Sequence, residues 1–306
     1  MKIGLIDIGS STVKLNIVSF RRSGKSYKLL NKDSQTTKLA EGMREKENTL
    51  QDEPMARTVN CVKDFIDGNL DVNKWQVFST SAARKATNIN VFKSFILAET
   101  GKVLRVITQE EEARIFFMGV VDDFKEGYDF VAINVGGGST EVTYGNKKDI
   151  YSAKSLPIGV VTLNETSLKS DPPTDQEYKE LENYINKSLD GNIPSISNGL
   201  KKPIFLHTGG ELTYIRRVNC PVQKIDLSKS HPVKVDIDKF KKFAMDMRKK
   251  NLKELFKFFP ENPVWMSGAI ASNAIAIAIA EKLGVGFFVP SDKNLSDGLI
   301  LEMMNS

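Results

Sequence analysis

Two apolar runs in this chain each end in the same kind of turn. Near the start, Ile6-Asp7-Ile8 leads into Gly9-Ser10-Ser11-Thr12; in the middle, Ile133-Asn134-Val135 leads into Gly136-Gly137-Gly138-Ser139-Thr140. Each reads as a buried strand carrying an Asp or Asn, a small-residue turn, and a second, alternating strand. Glycine lets the backbone come close to a bound group and exposes N–H groups that anions prefer. One such turn is ordinarily only a turn. Two of them, one per half, constrain the fold to a duplicated domain gripping a phosphate chain between its halves.

At 306 residues the chain is long enough for two domains with real cores. Hydrophobic and charged fractions of 41% and 26% place it among ordinary globular proteins. Cys61 and Cys220 stand far apart and match no metal or redox spacing, so a reduced cytoplasmic setting is expected. The N-terminus enters a strand at once, without signal-peptide regions, and no later stretch reads as long and apolar enough to span a bilayer. The richest apolar segment, Ala269 to Ala280, reads as a buried helix. The net charge of +5 is modest, and nothing resembles a nucleic-acid module. Lys239, Lys241 and Lys242 sit beside an apolar stripe through Phe240, Phe243 and Met247, the pattern of a solvated helix face or, as the alternative, of an electrostatic surface for a polyanion.

The first half runs β-β and then alternates helix and strand, predicting a mixed open sheet covered by helices. The charged bend Asp122 to Asp129 marks the interdomain crossing, after which the pattern repeats. This gives an N-terminal domain over 1–123, a C-terminal domain over 124–292, and a final helix within 293–306 that can cross back to join the first. Each domain is expected to hold a five-stranded sheet of related topology.

Thr108-Gln109-Glu110-Glu111-Glu112 follows a strand and opens a helix. Thr108 and Glu111 have capping-box spacing, and Glu110 and Glu112 also suit the positive end of the helix dipole. Taken alone the run reads as capping; yet a carboxylate held at a helix N-terminus stays ionised, as a general base acting on water must, and Glu112 is the one free to face a cleft. Arg84, at a helix start after Ser79-Thr80-Ser81, is either an exposed helix arginine or a bidentate phosphate clamp. His207 and His231 are the only histidines; His231 reads as inert, and no Ser-His-Asp arrangement suggests itself. Catalysis would rest on carboxylates, an arginine, backbone amides and a divalent cation.

In this order, the pieces resemble the exopolyphosphatase and guanosine pentaphosphate phosphohydrolase family, a branch of the actin-like and sugar-kinase-like ATPase superfamily. The matches are Asp7 to Thr12, Thr80 to Asn88, Ile107 to Arg114, Val135 to Glu141, Ser155 to Gly159, Gly209-Gly210, and the tail from Ser291-Asp292 to Gly298-Leu299. The resemblance implies two ribonuclease-H-like α/β domains with an interdomain cleft, and removal of the terminal phosphate from polyphosphate or guanosine pentaphosphate with Mg²⁺. It makes Glu112 the water-activating base and Arg84 a phosphate ligand. Gly9, Ser10, Ser11 and Thr12, Gly136, Gly137, Gly138 and Ser139, and Gly209 and Gly210 become the phosphate loops. Asp7, Glu141 and Asn134 become the metal's oxygen donors.

The chain departs from the family pattern at Asn134 (usually Asp), Ser11 (Asn), Glu211 (Thr), and Asn294, Ser296 and Asp297 (Gly, Arg, Glu). Each change weakens binding of an anion or its metal, and Glu211 would set a negative charge in the path of phosphates. The leading expectation, carried by the resemblance, is a phosphohydrolase. The alternative is a polyphosphate- or guanosine-polyphosphate-binding regulatory protein of little or no turnover. A kinase of the same superfamily is the third reading, but its adenosine pocket cannot be placed. No membrane or nucleic-acid partner is expected. The sequence does not fix the oligomeric state; a homodimer is compatible with it.

Overall fold

The computed structural model describes residues 1–10, 12–20, 27–43, 46–193 and 203–305. The chain divides into two compact units, Met1–Phe116 with Leu295–Ser306, and Phe117–Asn294. The division falls inside a helix, ahead of the charged bend at Asp122.

The first unit is built on strands β1 (Lys2–Ile8), β2 (Thr12–Phe20), β3 (Tyr27–Thr36), β4 (Lys74–Ser79) and β5 (Leu104–Val106), in the order β3-β2-β1-β4-β5. β1 pairs antiparallel with β2 and parallel with β4. It is central because Ile3, Leu5, Ile6 and Ile8 are buried on both of its faces, as a covered mixed sheet requires. The covering helices are α1 (Asp52–Asp67), α2 (Ser81–Lys85), α3 (Ile89–Thr100) and α4 (Gln109–Val121). α1 buries Met55, Val59, Val62 and Phe65 at helical spacing.

The second unit repeats that plan with β6 (Phe130–Val135), β7 (Thr140–Gly145), β8 (Ile150–Leu156), β9 (Ile204–Thr208) and a parallel strand at Phe287–Pro290. The expected five strands become seven, because β10 (Gln223–Lys224) and β11 (Val233–Asp236) extend the far side of the Phe287–Pro290 strand, here β12. β11 pairs antiparallel with β12, covering an edge that would otherwise offer unpaired backbone groups. Helices α5 (Val160–Thr166), α6 (Asp175–Leu189), α7 (Glu211–Arg217), α8 (Ile237–Met247), α9 (Leu252–Phe256) and α10 (Ala269–Leu283) complete the unit. α8 buries Phe240, Ala244 and Met247, while Lys241 pairs with Glu281 at 2.6 Å, so its basic residues form the solvated face.

One expectation about length fails. A 3₁₀ turn at Pro263–Gly268 runs straight into α10, and the joined run Pro263–Leu283 is long and apolar enough to cross a membrane by length and composition. About two-thirds of its apolar window, 67%, is buried inside the protein, so it serves here as a core helix. Its alanines let α5, α6 and α8 pack closely around it.

The last helix, α11 (Leu295–Asn305), belongs to the first unit. Asn16 Nδ2 donates to Ser296 Oγ at 3.1 Å in a buried contact, and Arg114 pairs with Glu302. Gly298 lies flat against the Ile115 carbonyl, where any side chain would overlap backbone. Ser296 is thus a packing residue, 2% exposed, rather than a position facing an anion.

Candidate active site

The two glycine turns are closed alike. Gly9 N–H donates to the Thr12 carbonyl at 3.0 Å, and Gly136 N–H to the Ser139 carbonyl at 2.8 Å. In the first unit the Ser10 carbonyl accepts from Ala40 N–H at 2.9 Å; Ser11 lies outside the described residues. In the second, the turn is braced from behind. The Gly136 carbonyl accepts from Val160 N–H at 2.9 Å, and the Gly137 carbonyl from Val161 N–H at 2.8 Å. The first amides of α5 therefore hold the turn's carbonyl oxygens, while the amides of Gly137, Gly138 and Ser139 make no hydrogen bond among the described residues. Three unpaired N–H groups on one turn suit an anion. Gly159 makes the bracing possible: a Cβ there would lie 2.5 Å from Gly137 O and from Ser139 N.

Asp7 and Asn134 hold matching positions, two residues ahead of their turns. Asp7 faces Lys14 across the β1–β2 ladder, and Asn134 faces Glu141 across β6–β7. Burial pushes the Asp7 carboxyl above its ordinary range, and Lys14 only partly offsets this. A folded protein that keeps this proton longer than its unfolded chain loses stability as pH rises through the raised value. Asp7→Asn is therefore expected to raise the melting temperature in chelator at about pH 7, with the gain vanishing below the ordinary carboxylate range. Thermal melts at the two pH values check it.

Glu141 Oε1 accepts from Ser139 Oγ at 2.7 Å and from Ser155 Oγ at 3.2 Å. Asn134 Oδ1 lies near Gly209, at 3.1 Å from where that residue's Cβ would sit. Among the described residues no group of three or more His, Cys, Asp or Glu forms a self-sufficient metal cage. In the second unit the donors, Asn134 and Glu141, are hard oxygens facing one another across β6–β7; in the first, Asp7 is a carboxyl whose desolvation outweighs the charge of Lys14. That fits Mg²⁺, which is commonly held by one or two carboxylates together with substrate phosphates.

The first unit also holds the candidate base and clamp. Thr108 Oγ1 accepts from Glu111 N–H at 3.1 Å, so the hydroxyl half of the capping box is present. The carboxylate half is not: Glu111 pairs with Arg105, a longer side chain within reach, instead of turning back to the Thr108 amide. Glu112, one position on, pairs with Arg84 from α2. Both side chains are about three-quarters buried, at 24% and 26% exposure, so the pair is neither a surface contact nor sealed away. Arg84 Nη1 also donates to the Ile107 carbonyl at 3.0 Å, which anchors one arm of the guanidinium. Nε and Nη2 have no bond among the described residues and remain available to a phosphate. Arg84 lines an open depression of about 440 Å³ together with Ala83, Ile89, Lys93, Thr108 and Gln109. The Ser79 hydroxyl faces no anion, being fully buried and donating to the Ile8 carbonyl at 2.6 Å.

Glu211 overturns its expectation. It is 5% exposed, with its carboxylate 3.4 Å from buried His207 Nδ1, so it points into the core of the second unit and not toward a passing anion. The preceding Gly209 and Gly210 have φ of +92° and +101°, a conformation that favours glycine, and this double left-handed step turns the Glu211 side chain inward. Cys61 and Cys220 are free and buried, and burial lifts their thiols to about 11 and about 12.

Comparison with known proteins decides the family. A model of the Ppx/GppA phosphatase family matches residues 17–306. The chain belongs to the Ppx/GppA phosphatase family. Relatives include exopolyphosphatase 2 of Mycobacterium tuberculosis, 25% identical over 99% of this chain and 98% of its own length. The guanosine-5'-triphosphate,3'-diphosphate pyrophosphatase of Photobacterium profundum is 27% identical over 98% of this chain and 59% of its own length. The crystal structure of the Aquifex aeolicus family member superposes with a TM-score of 0.82 at 26% identity, covering 100% of this chain and 98% of that one. As a Ppx/GppA protein the chain has the actin-like two-domain fold and is a hydrolase of phosphoanhydride bonds. The reading of a binding protein of little or no turnover finds no support, and the inward turn of Glu211 removes one of its grounds.

Proposed function

We propose that this hydrolase releases the terminal phosphate from inorganic polyphosphate, from guanosine pentaphosphate, or from both. The observation that carries the reading is the Arg84–Glu112 pair: a carboxylate at the first turn of α4, held by an arginine with one anchored arm and one free. Glu112 accepts a proton from water as the water oxygen attacks the terminal phosphorus, and the bond to the bridging oxygen breaks. Arg84 orients that phosphate through Nε and Nη2 and opposes the charge that develops on it. The amides of Gly137, Gly138 and Ser139 hold phosphate oxygens, and in the first turn the Ser10 amide can do the same, that of Gly9 being taken by the Thr12 carbonyl. Phosphoryl transfer depends mostly on such positioning and electrostatics. Asp7 in the first unit, and Glu141 and Asn134 in the second, are the oxygen donors that would hold Mg²⁺ together with the substrate's own phosphates; the metal would supply charge neutralisation. That relatives include an exopolyphosphatase and a guanosine-5'-triphosphate,3'-diphosphate pyrophosphatase supports both substrate classes.

Phosphate release from each substrate in the presence of Mg²⁺, with Glu112→Gln as the blank, tests the reading. Release from neither, or equal release by the blank, would reject it. A second expected result concerns the metal. Asn134→Asp sets two carboxylates opposite one another across β6–β7, a stronger donor set for Mg²⁺. The variant should reach half-maximal rate at a lower Mg²⁺ concentration; superimposable titrations would mean that this side chain does not govern the metal.

A further inference from the structure

The segment holding His231 was expected to be an inert loop, yet its ring is fully buried and bonded at both nitrogens. Nδ1 lies 2.6 Å from Ser228 Oγ and 3.5 Å from Asp123 Oδ1; Nε2 lies 2.8 Å from Ser291 Oγ. The ring also packs on Phe124, with centroids 4.6 Å apart. Ser230 N–H donates to Asp123 Oδ2 at 2.7 Å. Burial alone would raise the Asp123 carboxyl, but the contacts from His231 and Ser230 outweigh it and hold the group well below its ordinary range. An anion beside Nδ1 keeps a proton on that nitrogen, so Nε2 accepts from the Ser291 hydroxyl, whose oxygen in turn accepts from Lys293 N–H at 3.1 Å.

The order Asp-His-Ser imitates a nucleophilic triad, but with His231 and Ser291 both at 0% exposure no substrate can reach it. What the cluster does is visible one residue further on. The Ser291 carbonyl accepts from Glu211 N–H at 3.2 Å, and Ser291 N–H donates to the His207 carbonyl at 2.8 Å. Asp292 accepts from Thr213 N–H at 2.9 Å and from its hydroxyl at 2.8 Å. Ser291 and Asp292 thus clamp both flanks of the Gly209–Gly210 turn, His207 before it and the first residues of α7 after it.

We propose that His231 is a positioning residue: through Ser291 it fixes the Gly209–Gly210 turn in the shape that receives a phosphate oxygen. The placement of that turn in the phosphate site rests on the function proposed above; the clamp itself does not. Asp123 and Ser228 orient the ring, and Ser291 transmits the orientation.

Two replacements of the same residue separate positioning from filling. His231→Gln puts an amide where Nε2 was and keeps the bond to Ser291; His231→Asn puts it where Nδ1 was and loses that bond. Both forfeit the ring contact with Phe124, so this loss cancels between them. Amide hydrogen exchange at Glu211 and Thr213 should speed up in His231→Asn and in Ser291→Ala, and stay near the wild-type rate in His231→Gln. In kinetics, His231→Asn and Ser291→Ala should raise KM for the phosphate substrate about tenfold with kcat nearly unchanged, and the double variant should add little to either. The Gln variant should restore KM. Equal behaviour of Asn and Gln, or unchanged exchange at Glu211 and Thr213, would overturn the proposal. If the wild-type protein released no phosphate, the function proposed above would fail, and the exchange data would still decide this one.

Discussion

Glu112→Gln should lower the rate of phosphate release by about 10²–10⁴, the usual cost of removing a general base. The amide is nearly isosteric and keeps hydrogen-bonding capacity toward Arg84, but it cannot take a proton from water. Folding should change little, since a partly exposed ion pair contributes about 1 kcal/mol or less. The neighbour serves as the control. Glu111→Gln loses the pair with Arg105 but leaves the Thr108 hydroxyl on the residue-111 amide, so the helix start persists and activity with it. Steady-state rates and melting curves of the two variants check the assignment. Matching activity losses would mean that the acidic run acts as a whole and that neither carboxylate is the base.

Arg84→Ala should reduce kcat/KM by about 10²–10³, comparable to deleting one group that stabilises developing charge. Two effects combine here. The phosphate loses a two-pronged donor, and Glu112 loses the cation that orients it. Arg84→Lys separates them, because an ammonium restores charge near Glu112 but cannot reach the Ile107 carbonyl and a phosphate in the same plane. The lysine variant should therefore fall between alanine and wild type. Kinetics of the three proteins on polyphosphate make the comparison, and a lysine variant as active as wild type would reduce Arg84 to a source of charge.

Much of the local structure around the candidate site could be read in the sequence because it depends on local rules. A glycine turn after a β-branched strand, an acidic run at a helix start and an arginine one helical turn past a strand are legible from spacing alone. What escaped depends on side-chain direction. Glu211 sits one residue from a glycine pair, and only the positive φ angles of Gly209 and Gly210 show that it turns inward. Glu111 had the spacing of a capping box, yet Arg105, on the strand just before, was a stronger partner than a backbone amide. His231 looked idle because its partners, Asp123 and Ser291, are far away in sequence on both sides. The two extra strands escaped for a related reason: β10 and β11 are short, at two and four residues, and carry little alternation to recognise.

Unit one is discontinuous, and this bears on how the protein is made. Its sheet is complete once residue 106 has emerged, but the seat for Leu295, Leu299 and Ile300 stays open until the final helix follows. The second unit, continuous from Phe117 to Asn294, can close in the meantime. Vectorial synthesis thus imposes a waiting period on the half that carries Glu112 and Arg84, during which its apolar groove is exposed to chaperones or to neighbouring nascent chains. A released chain truncated before Leu295 would hold a complete second unit tethered to an unfinished first one.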